Sequence, residues 1–492
     1  MLELPGLFHD HAVLQCDQPL PVWGTALPGC TVEVALGDRQ ATAITGADGR
    51  WQATLDPLPA GGPYTLTVTA GQEEFTASDI LLGEVWVCSG QSNMELPLYE
   101  VRNAEMEIAA AQYPSIRLFT VPTVKTDTPL TEALGRWACC TPETARPFSA
   151  VAYCFGRELS AALGKPVGLI NSSLGGTQAQ MWTSRATLEA HAELRPLVEV
   201  WETGLRELAE PWQAYLHGVA AWMPEARAAL NAGKPLPPYP PGDNRLNAYA
   251  QPGTLYNAML LPLIPFAIRG VIWYQGESNT PRAEQYRTLL PALIRDWRAA
   301  WGQGDFPFLY VQLANYGPSV TEPAESPYAE LREAQALTLA VPNTGMVTAV
   351  DIGEGENIHP VNKQDVGKRL SWSAQAWVYG REAPIAGPRF AGMEITGSTA
   401  RIHFTHADGG LRTADGGPVR AAAIAGADRK FVNAQAVIDG DTLLISAPQV
   451  PNPVAVRYAW AENPSVNLYN HANLPAEPFR TDNWPGATAG VR

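Results

Sequence analysis

The sequence has no run of about 18 consecutive apolar residues, which argues against any membrane-spanning helix. Cysteine is scarce: the six, at positions 16, 30, 88, 139, 140 and 154, form no CxxC pair and no zinc spacing. Buried thiols with at most one bridge are therefore expected, and neither a metal site nor a cofactor. Basic residues are also in deficit, 34 Lys and Arg against 49 Asp and Glu, giving a formal charge of −15. A nucleic acid or an anionic membrane calls for a basic patch, so neither is expected as a partner, whereas a neutral substrate is unaffected. The start, Met-Leu-Glu-Leu-Pro-Gly, lacks the basic and apolar stretches of a leader. Location is accordingly expected to be periplasmic or secreted if a leader was removed, and cytoplasmic otherwise. The GxSxG, HExxH, calcium-loop, GxGxxG and GxxxxGK patterns are missing too, which removes direct support for an ordinary α/β-hydrolase, a metalloenzyme or a nucleotide binder.

What is present points to a large folded chain. With 492 residues, more than one domain is expected. Gly 43 and Pro 43 imply many turns and ordered loops, and Trp 15, Tyr 16 and Phe 12 are spread throughout. Residues 1–78 read as a β-sandwich-like module: Val32, Val34 and Leu36 alternate with polar neighbours, Gly37-Asp38 and Ala47-Asp48-Gly49 signal turns, and Tyr64 to Thr69 reads as a strand. His9 and His11, which bracket Asp10, fall in this module and are assigned to loop stabilisation.

From Ile80 the pattern becomes that of a parallel α/β domain, expected over 79–385. Apolar runs at 81–88, 165–170, 268–274, 308–313 and 345–350 suit buried central strands. Helical candidates lie between them at 155–163, 286–301 and 330–339. An insertion at about 185–250 begins as helix and ends in a proline-rich stretch from Lys234 to Gly242 that cannot be helical. Strands return beyond 386, near 400–404, 419–424, 442–446 and 454–458, so 386–492 is expected to be a second β-module.

Four polar clusters follow the central strands, where parallel α/β proteins bind ligands. Ser92 follows the first strand across Ser89-Gly90-Gln91, as either a nucleophile or a helix N-cap. Asn171 to Thr177 contains Gly175-Gly176, which let backbone N–H groups approach a ligand. Trp273 to Asn279 brings Gln275 and Asn279 as amide donors and Glu277 as an acid. Asp351 to Pro360 places His359 among Asp351, Glu354 and Glu356. A histidine near neutrality takes a proton from serine when an acid holds its tautomer.

Taken in order, Gly-Gln-Ser-Asn-Met-Glu at 90–95, Asn171 to Thr177, Trp-Tyr-Gln-Gly-Glu-Ser-Asn at 273–279 and Ile-His-Pro-x-Asn-Lys-Gln at 358–364 resemble the sialate O-acetylesterase family, an SGNH-type group with bacterial members. The resemblance continues through Leu7 to Gly24 and in the closing segments 456–460, 467–470 and 478–482. It implies a flavodoxin-like SGNH-hydrolase domain with a parallel sheet, flanked by β-sandwich-like modules. It also implies cofactor-free removal of acetyl esters from carbohydrates, sialic acids or plant-type oligosaccharides, through a serine acetyl-enzyme. The nucleophile matches Ser92 and the base His359. The Ser92 N–H and a glycine N–H from Gly175-Gly176 match the oxyanion hole, with Gln275 or Asn279 adding a side chain. The sequence departs from the general SGNH pattern in holding Glu356 three residues before the histidine. Asp351 is the preferred acid, with Glu356 and Glu277 as alternatives. Trp182, Tyr256, Tyr274 and Tyr316 are candidate sugar platforms. The competing readings are a catalytically weak or inactive carbohydrate-binding scaffold and a thioesterase or lipase-like hydrolase.

Overall fold

The structure, a computed structural model, describes residues 1–240, 251–407 and 409–491. Its organising element is one long strand, Glu73–Gly90, exposed at its start and continuously buried from Ile80 onward. The first half of this strand pairs antiparallel with Gly61–Ala70, and Leu81 to Gly83 pair parallel with Val13–Gln15. The second half enters a different neighbourhood, between Val167–Ser173 and Gly270–Tyr274, both parallel to it. A single strand thus carries the register of the N-terminal strands into the α/β sheet. The buried apolar cluster of the N-terminal strands, including Val32, Leu36, Trp51 and Leu66, is continuous with that of the α/β sheet.

In that sheet the strand order is Thr344–Thr348, Phe308–Gln312, Gly270–Tyr274, Glu73–Gly90, Val167–Ser173, Tyr113–Thr120 and Trp137–Cys140. The last pair is antiparallel, and the remaining neighbours are parallel. Apart from that added edge pair the order is 2-1-3-4-5, the flavodoxin-like arrangement, whose switch point lies beside the first strand. The expected strands at 81–88, 165–170, 268–274, 308–313 and 345–350 are all present with shifted ends. The edge strands Tyr113–Thr120 and Trp137–Cys140 carried no clear periodic signal. Helices Ala150–Leu163, Ala283–Trp301, Pro327–Leu337 and Lys363–Trp377 cover the sheet.

The insertion is helical over Arg185–Ala190, Arg195–Glu207 and Ala209–Asn231, and Lys234 to Pro240 is not helix. Its expected end, 241–250, lies outside the described residues. Beyond Arg389 the chain forms antiparallel sheets, one of Arg389–Thr396, Thr399–Thr405, Thr442–Ser446 and Gln435–Asp439, another around Ala422–Ala425 and Ala455–Tyr458. These enclose a separate apolar core that includes Ile402, Ile424, Leu443 and Tyr458. All six cysteines are free thiols. In the N-terminal region, His11 Nδ1 lies 2.7 Å from Asp79 Oδ2 and Asp10 accepts from the Ser78 N–H, so His11 and Asp10 brace the loop against Ser78 and Asp79. Among the described residues no helix is long and apolar enough to cross a membrane.

Candidate active site

Strand register places three of the four polar clusters side by side. Gly90 pairs with Ser173 on one side and with Tyr274 on the other, so the chain leaves all three strands at the same level. Gly90 has φ 142°, and a Cβ there would lie 2.1 Å from the Tyr274 carbonyl oxygen, so only glycine lets these strands close. Gln91 then donates its backbone N–H to Tyr274 O at 3.0 Å. The single helical turn Ser92–Glu95 follows.

His359, on the loop after Thr344–Thr348, reaches this turn: its Nε2 is 2.8 Å from Ser92 Oγ. Both residues are half-buried. Burial and the nearby Lys363 ammonium hold the imidazole below its usual pKa, against an opposing pull from Glu100. A neutral imidazole at hydrogen-bond distance from a serine hydroxyl has the geometry of a general base and its nucleophile.

The acid expected to orient His359 is elsewhere. Asp351 accepts two bonds of 2.7 Å from Arg369 and one of 3.1 Å from Tyr469 Oη, so its carboxylate joins the sheet to the C-terminal strands. The backbone at the end of Thr344–Thr348 turns it toward Arg369 on the covering helix, where two guanidinium N–H groups outcompete one imidazole. Glu356 is exposed and makes no hydrogen bond to the imidazole. Glu277 is buried, with Oε1 accepting from Asn93 Nδ2 at 2.5 Å. Among the described residues no carboxylate is hydrogen-bonded to His359.

Gly175 lies against Ser92: a Cβ there would be 3.3 Å from Ser92 Cβ and 2.9 Å from Glu95 Oε2. Its N–H donates to Glu95 Oε2 at 2.5 Å. Burial raises the pKa of Glu95, opposed by this bond. Gly176 is exposed with φ 69°.

Gln275 and Asn279 do not point into the cleft as oxyanion donors. Gln275 is fully buried, donating to Asn279 Oδ1 at 2.6 Å and Thr177 O at 3.2 Å while accepting from Tyr286 at 2.8 Å. Asn279 accepts from the Ala179 N–H and donates to Gln180. Buried amides must satisfy both ends, and here the backbone after Gly175-Gly176 provides the partners. Three of the four expected sugar platforms are similarly withdrawn. Trp182 and Tyr274 have no exposed surface and Tyr256 is 8% exposed. Trp182 packs edge-on to Trp273 and bonds Thr177, so it serves the core. Tyr316 alone of the four is half-buried, 6.0 Å from Tyr328 between ring centres, on a loop whose Gly317 N–H bonds Gly355 O of the histidine loop.

Two residues not assigned from sequence lie beside Ser92 and the His359 loop. Asn93 follows the serine, and Lys363, fully buried, donates to Asn93 Oδ1 at 2.6 Å and Pro360 O at 2.8 Å. Both lie inside the segments that had been singled out. The signal available was a lysine opening the helix after the histidine, but only the fold reveals that it is buried.

Comparison with known proteins agrees with an esterase. Residues 226–375 match a family described as carbohydrate esterase, sialic acid-specific acetylesterase. The sialate O-acetylesterase of Mus musculus is 30% identical over 505 residues, covering 93% of this chain and 90% of the mouse protein. That of Homo sapiens is 28% identical over 519 residues, covering 96% and 91%. A carbohydrate acetylesterase from Xanthomonas citri of known crystal structure is 38% identical with a TM-score of 0.84, covering 98% of this chain and 100% of that one. The protein is therefore a carbohydrate-esterase-type enzyme. Specifically, the chain belongs to the sialate O-acetylesterase family.

Proposed function

We propose that the protein hydrolyses O-acetyl esters on carbohydrates through an acetyl-enzyme on Ser92, with His359 as general base and acid. The observation that carries this reading is the 2.8 Å approach of His359 Nε2 to Ser92 Oγ at the carboxyl ends of the parallel strands. His359 takes the serine proton as Oγ attacks the acetyl carbonyl. The N–H groups of Ser92 and Gly175 receive the oxyanion once Glu95 has moved off Gly175. Removing one such donor typically costs roughly 2.7 to 4 kcal/mol of barrier. The imidazolium then protonates the departing sugar hydroxyl. Water, deprotonated by His359, attacks the acetyl-enzyme and releases acetate.

Gln275 and Asn279 contribute by holding residues 177–180 and so the glycine turn, rather than by donating to the substrate. Tyr316 is the aromatic platform best suited to a sugar face, because it keeps exposed surface on a loop tied to the histidine loop. The functional division into 1–78, 79–385 and 386–492 assigns catalysis to the middle segment and support to the flanking β-rich segments. Nucleic acid is not a partner in this reading, since the chain carries a formal charge of −15.

The test is acetate release from O-acetyl sialic acids, acetylated xylan fragments and acetylated xyloglucan fragments, with S92A and H359A as controls. Turnover of at least one substrate, abolished in both folded variants, is expected. No turnover across the panel by correctly folded protein favours the carbohydrate-binding scaffold instead.

A further inference from the structure

A serine esterase whose base has no bonded carboxylate needs another means of holding that base. We infer that Asn93 and Lys363 form a buried bracket that positions His359 against Ser92, taking the place of an orienting acid. The inference rests on the proposed role of His359 and concerns how that role is sustained.

Asn93 immediately follows the nucleophile, and its side chain uses both ends. Its Nδ2 donates to Ile358 O at 2.9 Å and to Glu277 Oε1 at 2.5 Å, and its Oδ1 accepts from Lys363 Nζ at 2.6 Å. Lys363 Nζ also donates to Pro360 O at 2.8 Å. Ile358 and Pro360 are the two neighbours of His359. The carbonyls on both sides of the base are therefore tied, one directly and one through a single ammonium, to the residue next to the nucleophile. Asn93 is 1% exposed and Lys363 has no exposed surface, so water does not compete for these bonds.

The ammonium also acts through its charge. It lies near the imidazole and disfavours a second positive charge there, which keeps His359 in the neutral form that accepts the serine proton. Glu100 acts on His359 in the opposite sense. Burial pushes the Lys363 amine down to about 7 against the opposing pull of Glu277 and Glu354, so it carries its charge over the acidic range in which His359 titrates, and the Tyr274 ring centre lies 5.5 Å from Nζ. Glu354 is in turn occupied by the Val361 N–H and the Asn357 side chain, while burial raises the pKa of Glu277 against the opposing effects of Asn93, Lys363 and Arg332. Lys363 is thus a positioning residue that acts on the reaction through His359.

The test compares Asn93→Ala and Lys363→Met with the intact enzyme, using an aryl acetate over a range of pH and NMR titration of the His359 imidazole. N93A should lower kcat by about 100-fold, the scale of a misplaced catalytic group, with KM little changed. K363M should lower kcat similarly and also move the acid limb of kcat/KM, and the imidazole titration, upward toward about 6.5. Folding is checked by thermal melting. If K363M does not fold, N93A decides alone, because it keeps the lysine and its bond to Pro360. Folded N93A with intact kcat, or folded K363M with an unmoved imidazole titration, overturns the inference. The imidazole titration is read without turnover, so an enzyme inactive on acetyl esters refutes the proposed function and leaves the bracket separately measurable.

Discussion

The Gly175 N–H donates to the Glu95 carboxylate at 2.5 Å, beside Ser92, where the acetyl oxyanion of the proposed reaction needs the same donor. A backbone N–H cannot serve both acceptors at full strength, and a carboxylate is the stronger competitor for it in the resting enzyme. E95Q removes the charge while keeping the shape. Its kcat/KM on an aryl acetate should rise by about fivefold, corresponding to about 1 kcal/mol of relieved competition. A large fall would instead mark Glu95 as a support for the glycine turn.

The pH profile follows from His359. Burial and Lys363 lower its pKa, so the neutral base persists below the ordinary histidine value. Activity is lost as pH falls through the depressed pKa. The acid limb of kcat/KM should therefore lie below about pH 6.5. A limb above that value, with Ser92 and His359 intact, contradicts the electrostatics of the site.

Asp351 should prove to be a stability residue. Its side chain is 5% exposed and that of Arg369 9%, and D351N leaves the guanidinium without its countercharge. Breaking such a buried pair costs about 3 to 5 kcal/mol, so a marked drop in melting temperature is expected. Below the melt, kcat should stay within about threefold of the parent, since the lost group does not touch His359. A large kcat loss in folded D351N restores Asp351 as the orienting acid.

Tyr274 gives a prediction of opposite sign. Its ring is buried in the strand end and its hydroxyl has no hydrogen-bond partner among the described residues. An unmet buried hydroxyl costs about 1 to 3 kcal/mol, so Y274F should be at least as stable as the parent. Differential scanning calorimetry reads this directly, and a clear destabilisation would show that the hydroxyl has a partner in solution.

The sequence by itself determined the alternation of buried strands and covering helices, because fully buried parallel strands require apolar runs that are visible without a structure. It also located the four segments that meet at the site and the pair Ser92 and His359, since polar clusters directly after such runs fall at the ligand-binding edge. What each polar side chain does there was decided by tertiary structure. Asp351 precedes His359 on the same loop, yet Arg369 and Tyr469, the latter more than a hundred residues away, take its carboxylate. Gln275 and Asn279 turn inward because the buried backbone at 177–180 needs partners. Trp182 and Tyr274 fill the core rather than face a sugar. Lys363 gives no sign of burial in a polar stretch of sequence, and only the folded chain brings it to Asn93. Local pattern encodes which face is apolar, whereas the partner of a polar group is set by contacts between residues far apart in the chain.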